Sequence, residues 1–126
     1  MRLRWNQFQC RLEGRHRLVC EGSLQPEPTA QRYRVRITLD AGRLPQVRVL
    51  DPMLKRRADD EAIPHTYDEK TNPRPCLFYP NQWHSSMRLS DTIVPWLLEW
   101  LLFYELWHVT GDWEGGGIDH GEGENK

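Results

Sequence analysis

Residues 32–40, RYRVRITLD, alternate with a period of two. Tyr33, Val35, Ile37 and Leu39 fall on one side, and Arg32, Arg34, Arg36 and Thr38 on the other. Successive strand side chains point to opposite faces, so this pattern predicts a strand with one apolar and one wet face. RLVCEGSL (17–24) reads as a strand before it and QVRVLD (46–51) as one after it, joined by QPEPTAQ and AGRLP. Proline and glycine in such short joins favour turns. Three strands so connected predict an antiparallel meander whose apolar face must be covered. Residues 1–13, MRLRWNQFQCRLE, fit either a strand, through Leu3, Phe8, Cys10 and Leu12, or a short helix.

The cover lies late in the chain. Five of the six tryptophans follow residue 80, and IVPWLLEWLLFYELWHV (93–109) is apolar nearly all round. A membrane span needs about 20 apolar residues and disfavours carboxylates at its middle. This stretch has 17 residues and contains Glu99 and Glu105, so it reads as a buried or partner-facing helix. Ser90 or Asp91 can cap it, Pro95 is tolerable within its first turn, and Gly111 should stop it. One side packs on the sheet and the other meets something else, for which a homodimer through the Trp-rich helix is one arrangement. The predicted fold class is therefore α+β, an antiparallel β-meander packed on a central helix. A single domain over 1–118 is expected, followed by a mobile acidic, glycine-rich tail at 119–126.

Charge is unevenly placed. Residues 1–57 hold 13 basic and 5 acidic residues, +8, and residues 58–126 hold 4 and 13, −9, which sum to the chain's −1. A basic half can mark an anionic partner. The arginines follow a period of two rather than clustering, so they read as the wet face of strands, and no nucleic-acid partner is expected.

Three cysteines, Cys10, Cys20 and Cys76, form an odd set with no CxxC. Cys10 and Cys20 fall in or near strands and read as small core residues. No signal peptide is evident, so a reducing, cytoplasmic compartment is the expectation. His108, Asp112, Asp119 and His120 are too loosely spaced for a metal site, and neither metal nor cofactor is expected.

Residues 51–75 have four prolines, mixed charge and no sustained period. Long irregular segments in compact domains are often functional. Cys76 stands at the exit, inside NPRPCLFYPNQWHSS (72–86). A nucleophilic cysteine needs positive charge, a helix N-terminus or a base nearby. Arg74 is two residues away, His65 precedes Cys76 by 11 and His84 follows it by eight. On residue types alone, a structural thiol and a reactive one both fit.

The order VCEGSL, YRVRITL, LPQVRVL, IPHTY, PCL, QWHSS and then the helix from Ser90 resembles the ubiquitin-conjugating-enzyme fold over residues 17–109. In that family a strand meander precedes a His-Pro-Asn segment, a catalytic cysteine followed by leucine, a tryptophan and a central helix. Pro95-Trp96, Glu99-Trp100-Leu101, Tyr104-Glu105-Leu106-Trp107 and Thr110-Gly111-Asp112-Trp113 make the chain more closely similar to the conjugating-enzyme-like proteins of bacterial type II CBASS anti-phage operons. With no activating-enzyme domain in 126 residues, the short-operon form is expected.

The resemblance implies thioester chemistry. Cys76 would carry the C-terminus of a protein, in CBASS the cGAS-like nucleotidyltransferase, and pass it to an amine on a target the sequence does not name. The chain departs from the family where the Asn of His-Pro-Asn falls on Tyr67 in Pro64-His65-Thr66-Tyr67. A phenol can donate a hydrogen bond, but so could Asn72, Asn81 or His84. His65 is expected to fix the loop, and His84 is a candidate base. The candidate catalytic residues are thus Cys76, His65, Tyr67, His84 and Asn81. Leu77 and Phe78 would anchor the thiol, with Trp83 packed beside it. A non-catalytic scaffold of the same fold is the alternative.

Overall fold

The computed structural model describes residues 8–71, 73–78, 82–83 and 92–113. Strands β1 (Phe8–Glu13), β2 (Arg17–Leu24), β3 (Tyr33–Asp40) and β4 (Gln46–Asp51) form one antiparallel sheet in chain order. Two short strands, β5 (Thr66–Tyr67) and β6 (Arg74–Pro75), form a second pair, and helix α1 spans Ile93–Thr110. The architecture is α+β, as the alternation and the apolar helix predict. No helix among the described residues is long and apolar enough to cross a membrane.

The ambiguous first segment is a strand from Phe8 onward. It is an edge strand and only Phe8 on it is buried, while Leu12 is left 73% exposed. That weak burial is why its alternation reads poorly.

Cys10 and Cys20 are direct cross-strand partners and are disulfide-bonded. The expectation of two separate core thiols is thus corrected: Cys20 is buried, but Cys10 lies on the exposed edge strand. The cysteine set therefore gives no argument for a reducing compartment.

The inner face of the sheet carries Cys20, Leu24, Tyr33, Val35, Ile37, Val47 and Val49. Buried residues of α1, among them Ile93, Val94, Leu97, Leu101 and Trp107, belong to the same core. Fully burying one such large side chain contributes roughly 1.5–3 kcal/mol. The outer face is charged. Glu21 pairs with Arg36 at 2.7 Å and Arg34 at 3.0 Å, and Arg17 pairs with Asp40 at 2.6 Å. The period-two arginines are a solvated strand face interleaved with carboxylates.

Helix α1 begins after Thr92 with no side-chain cap, and Trp96 N–H bonds the Thr92 carbonyl at 3.0 Å. Pro95 sits in the first turn, where its missing N–H has no intrahelical partner to lose. The expected caps Ser90 and Asp91, like the tail from residue 114, lie outside the described residues. Gly111 ends the helix at φ 86°, its N–H bonded to Trp107 O at 2.8 Å. Glycine adopts this left-handed cap without a Cβ penalty. The two internal carboxylates differ. Glu99 is exposed, whereas Glu105 accepts hydrogen bonds from the Tyr33 phenol (2.7 Å) and Gln31 N–H (3.1 Å) and so ties helix to sheet.

Candidate active site

The segment after β4 has no period because polar clamps, not a buried stripe, hold it. Tyr104 Oη accepts the Lys55 N–H at 2.9 Å, and His108 Nε2 lies 3.1 Å from the Lys55 carbonyl. Arg56 then grips Glu69 in a two-pronged pair at 2.8 and 2.7 Å. The same carboxylate accepts the Ile63 N–H at 3.0 Å, and Thr66 Oγ1 donates to Ile63 O at 2.9 Å. The Arg56 hydrogen bond holds the Glu69 carboxyl below its ordinary value. Asp60, His65 and Asp68 adopt left-handed φ of 67°, 55° and 55°. Non-glycine residues persist there only when the surroundings over-determine them.

This folding brings His65 against the helix. Its carbonyl accepts both the Cys76 N–H, at 2.9 Å, and the Trp100 indole N–H, at 3.0 Å. Its ring centroid lies 5.0 Å from that of Trp113. The backbone of His65 thus fixes the cysteine to α1, which is a positioning role.

Pairing of β5 with β6 sets Tyr67 opposite Arg74, next to Cys76. Burial first, and then the neighbouring Cys76 side chain, push the Tyr67 phenol well above its ordinary value, so it keeps its proton. The Arg74 guanidinium lies 4.9 Å from the Tyr67 ring centroid and pairs with Asp68 at 3.0 Å. Stacked in this way, Arg74 holds the Tyr67 ring by a cation–π contact. Arg48 and Arg36 are opposite one another on β4 and β3. Burial, and then the neighbouring Arg74, lower the Arg48 pKa, as expected where cations crowd.

Cys76 itself is 2% exposed, among Pro75, Phe78 and the core. Phe78 packs 5.7 Å from the Trp96 ring, and Trp83 is buried. Of the expected site residues, Cys76, Tyr67 and His65 are brought together. Asn81, His84 and Asn72 lie outside the described residues. Trp100, Trp113, Arg56 and Glu69 were missed as site-forming residues. Trp100 looked like core from its neighbours, and a clamp between Arg56 and Glu69 has no local signature. Among the described residues no group of three or more His, Cys, Asp or Glu side chains is placed to hold a metal. His108, one of the loosely spaced candidates, is packed between Tyr104 and Trp107.

The arrangement thus places a buried cysteine beside a protonated phenol, with a guanidinium over that phenol's ring. No curated protein matches the chain. A family model described as Type II CBASS E2 protein matches residues 1–121, so the chain belongs to that E2-like family of CBASS proteins.

Proposed function

We propose that Cys76 carries the C-terminus of a protein as a thioester and transfers it to an amine. The observation that supports this reading is Cys76 tied through its N–H to the His65 carbonyl, which also accepts the Trp100 indole N–H, with Tyr67 and Arg74 paired on the short strands beside it. In the first step the thiolate attacks the carbonyl carbon of an acyl adenylate or acyl thioester. The tetrahedral oxyanion collapses, the leaving group takes the electron pair, and a C–S bond remains. In the second step an amine attacks, the C–N bond forms, the amine loses a proton to water or a base, and the thiolate departs. Tyr67 stands where the expected asparagine would, as the donor to the oxyanion. The acyl donor in CBASS is the cGAS-like nucleotidyltransferase, and its attachment to a target would regulate anti-phage nucleotide signalling in the cytoplasm.

The test is intact-mass and peptide mapping after co-expression with the nucleotidyltransferase, with no reductant. The wild type carries a hydroxylamine-sensitive adduct on Cys76, and Cys76→Ala carries none. An unchanged adduct in Cys76→Ala sinks the reading.

One observation favours a second reading, a non-catalytic scaffold: Cys76 is 2% exposed, and attack requires the sulfur to be uncovered. Iodoacetamide separates the two. A transferase shows Cys76 alkylated in the folded protein well before global unfolding, whereas a scaffold shows alkylation only at the unfolding rate.

A further inference from the structure

The Cys10–Cys20 disulfide takes no part in the site around Cys76, and it stands where the sheet is held least. It joins β2 to β1, an edge strand on which residues 9–13 are all exposed and only Phe8 is buried. β2 does not depend on such a link. All eight of its residues pair with β3, and Cys20 and Leu24 belong to the core. The Arg11–Glu21 ion pair, at 3.7 Å and with Arg11 exposed, adds little to hold β1. Gly14, in the turn between the two strands, has a left-handed φ of 66°, and the space where a Cβ would stand is open. It can serve as a pivot for β1, because glycine changes its backbone angles at little steric cost.

The two sulfurs are not equally open to attack. Cys10 is exposed, whereas Cys20 is fully buried, with Ile37 as its partner on β3. A thiolate displaces one sulfur along the line of the S–S bond, so access to that line decides which sulfur is taken. The bond crosses from β2 to β1. The line to Cys10 therefore runs in from beyond β1, where no further strand lies among the described residues. The line to Cys20 runs in from β3 and the core and is blocked. On the same side of the sheet, the next pair along is largely exposed Leu12 opposite half-buried Leu18, so this side is open at its edge.

We infer that Cys10–Cys20 is a redox-active site whose co-substrate is a dithiol, and that its reduction releases β1 while β2, β3, β4 and α1 stay folded. One thiolate of the dithiol attacks the Cys10 sulfur. The S–S bond breaks, and the Cys20 sulfur leaves with the electron pair and takes a proton. The second thiol of the dithiol then attacks the first in the mixed disulfide and frees Cys10 as a thiol. The pair has gained two electrons and two protons, and the dithiol has become a disulfide. Once β1 swings away, the outer edge of β2 and Leu18 are uncovered. Exposed disulfides of this kind are the labile, regulatory ones. The inference does not depend on Cys76 being an acyl acceptor.

The full chain, oxidised and folded, is treated with dithiothreitol. Free thiols are captured with N-ethylmaleimide and mapped by peptide mass, and global unfolding is timed in parallel. The disulfide opens many times faster than the chain unfolds, and opening only at the unfolding rate overturns the inference. With glutathione in place of dithiothreitol and an acid quench, the mixed disulfide is recovered on Cys10, and its recovery on Cys20 overturns the route of attack. Hydrogen exchange then compares oxidised and reduced protein. On reduction, amides at 9–13 exchange about a hundredfold faster, the scale of the constraint on a loop of this length, while β3, β4 and α1 are unchanged. Unchanged exchange in β1 overturns the release. Fast exchange that spreads into α1 overturns it too, since the disulfide would then staple the whole fold. Cys10→Ser reproduces the reduced pattern with no reductant present, and a pattern like that of the oxidised wild type contradicts the inference as well.

Discussion

Strands β2 and β3 and the segment from Met53 to Cys76 are of comparable importance to the molecule, yet different forces hold them. In the sheet, neighbours in the chain alternate between core and water, and each inward residue is fixed by burial. In the segment, single polar atoms reach across long sequence distances: Arg56 to Glu69, His65 O to Trp100, Tyr104 to Lys55. Burial is spread over many side chains and fails gradually under substitution. A clamp rests on one or two atoms and fails when either is removed. The proposed chemistry sits on the clamped part, where a side chain can be aimed rather than merely covered.

That contrast can be broken at either end. The largest loss is expected in the core. Leu101→Ala, at a fully buried position of α1, should lower unfolding free energy by about 2–5 kcal/mol, read by urea denaturation. It should slow any transfer reaction only through the folded fraction. Tyr67→Phe should do the opposite. Removal of one hydroxyl from a pre-aimed donor should slow Cys76 acylation by about a hundredfold or more, read by single-turnover mass spectrometry, with stability nearly unchanged. An unaltered rate would take Tyr67 out of the reaction.

Glu69→Gln should loosen the segment rather than the sheet, at a cost of about 1–3 kcal/mol, because Arg56 and the Ile63 N–H lose a charged acceptor. Hydrogen exchange should rise over residues 61–76 and stay put in β2 and β3. The same carboxyl gives a pH signature. Its folded value is depressed below the ordinary 4.5, so the unfolded chain binds more protons as pH falls. The Glu69 contribution is therefore fully present above pH 4.5 and lost as pH drops through the depressed value. The stability gap between wild type and Glu69→Gln should narrow over that fall, measured by denaturation at stepped pH. The smallest effect is expected on the wet face of the sheet. Arg34→Gln should change stability by no more than about 0.5 kcal/mol, since exposed ion pairs contribute little.

The same contrast explains what the sequence discloses. The faces of β2, β3 and β4 are legible because burial repeats every second residue, and α1 is legible because its apolar run is long and punctuated by Gly111. The limits of β1 are not, because an edge strand with one buried residue imposes little pattern. The Cys10–Cys20 link was missed because it depends on the register of β1 against β2, which no local spacing announces. The thiol and the Pro-His before it are visible in the chain, and so is Tyr67 at the position where the resemblance puts asparagine. That His65 acts through its carbonyl, that Trp100 completes the bond and that Arg74 stacks on Tyr67 are tertiary facts. Each depends on where a helix some 30 residues away or a paired strand comes to rest, as in the 35-residue separation of Trp100 and His65.

The central claim is that Cys76 becomes an acyl thioester, and trapping tests it most directly. The wild type, co-expressed with the nucleotidyltransferase and denatured in acid without reductant, is digested and mapped. The account predicts a hydroxylamine-labile C-terminal peptide of the nucleotidyltransferase on Cys76, with Cys10 and Cys20 recovered as one disulfide-linked pair. Recovery of Cys76 as a free thiol throughout, in cells where the nucleotidyltransferase is nonetheless conjugated, would contradict it.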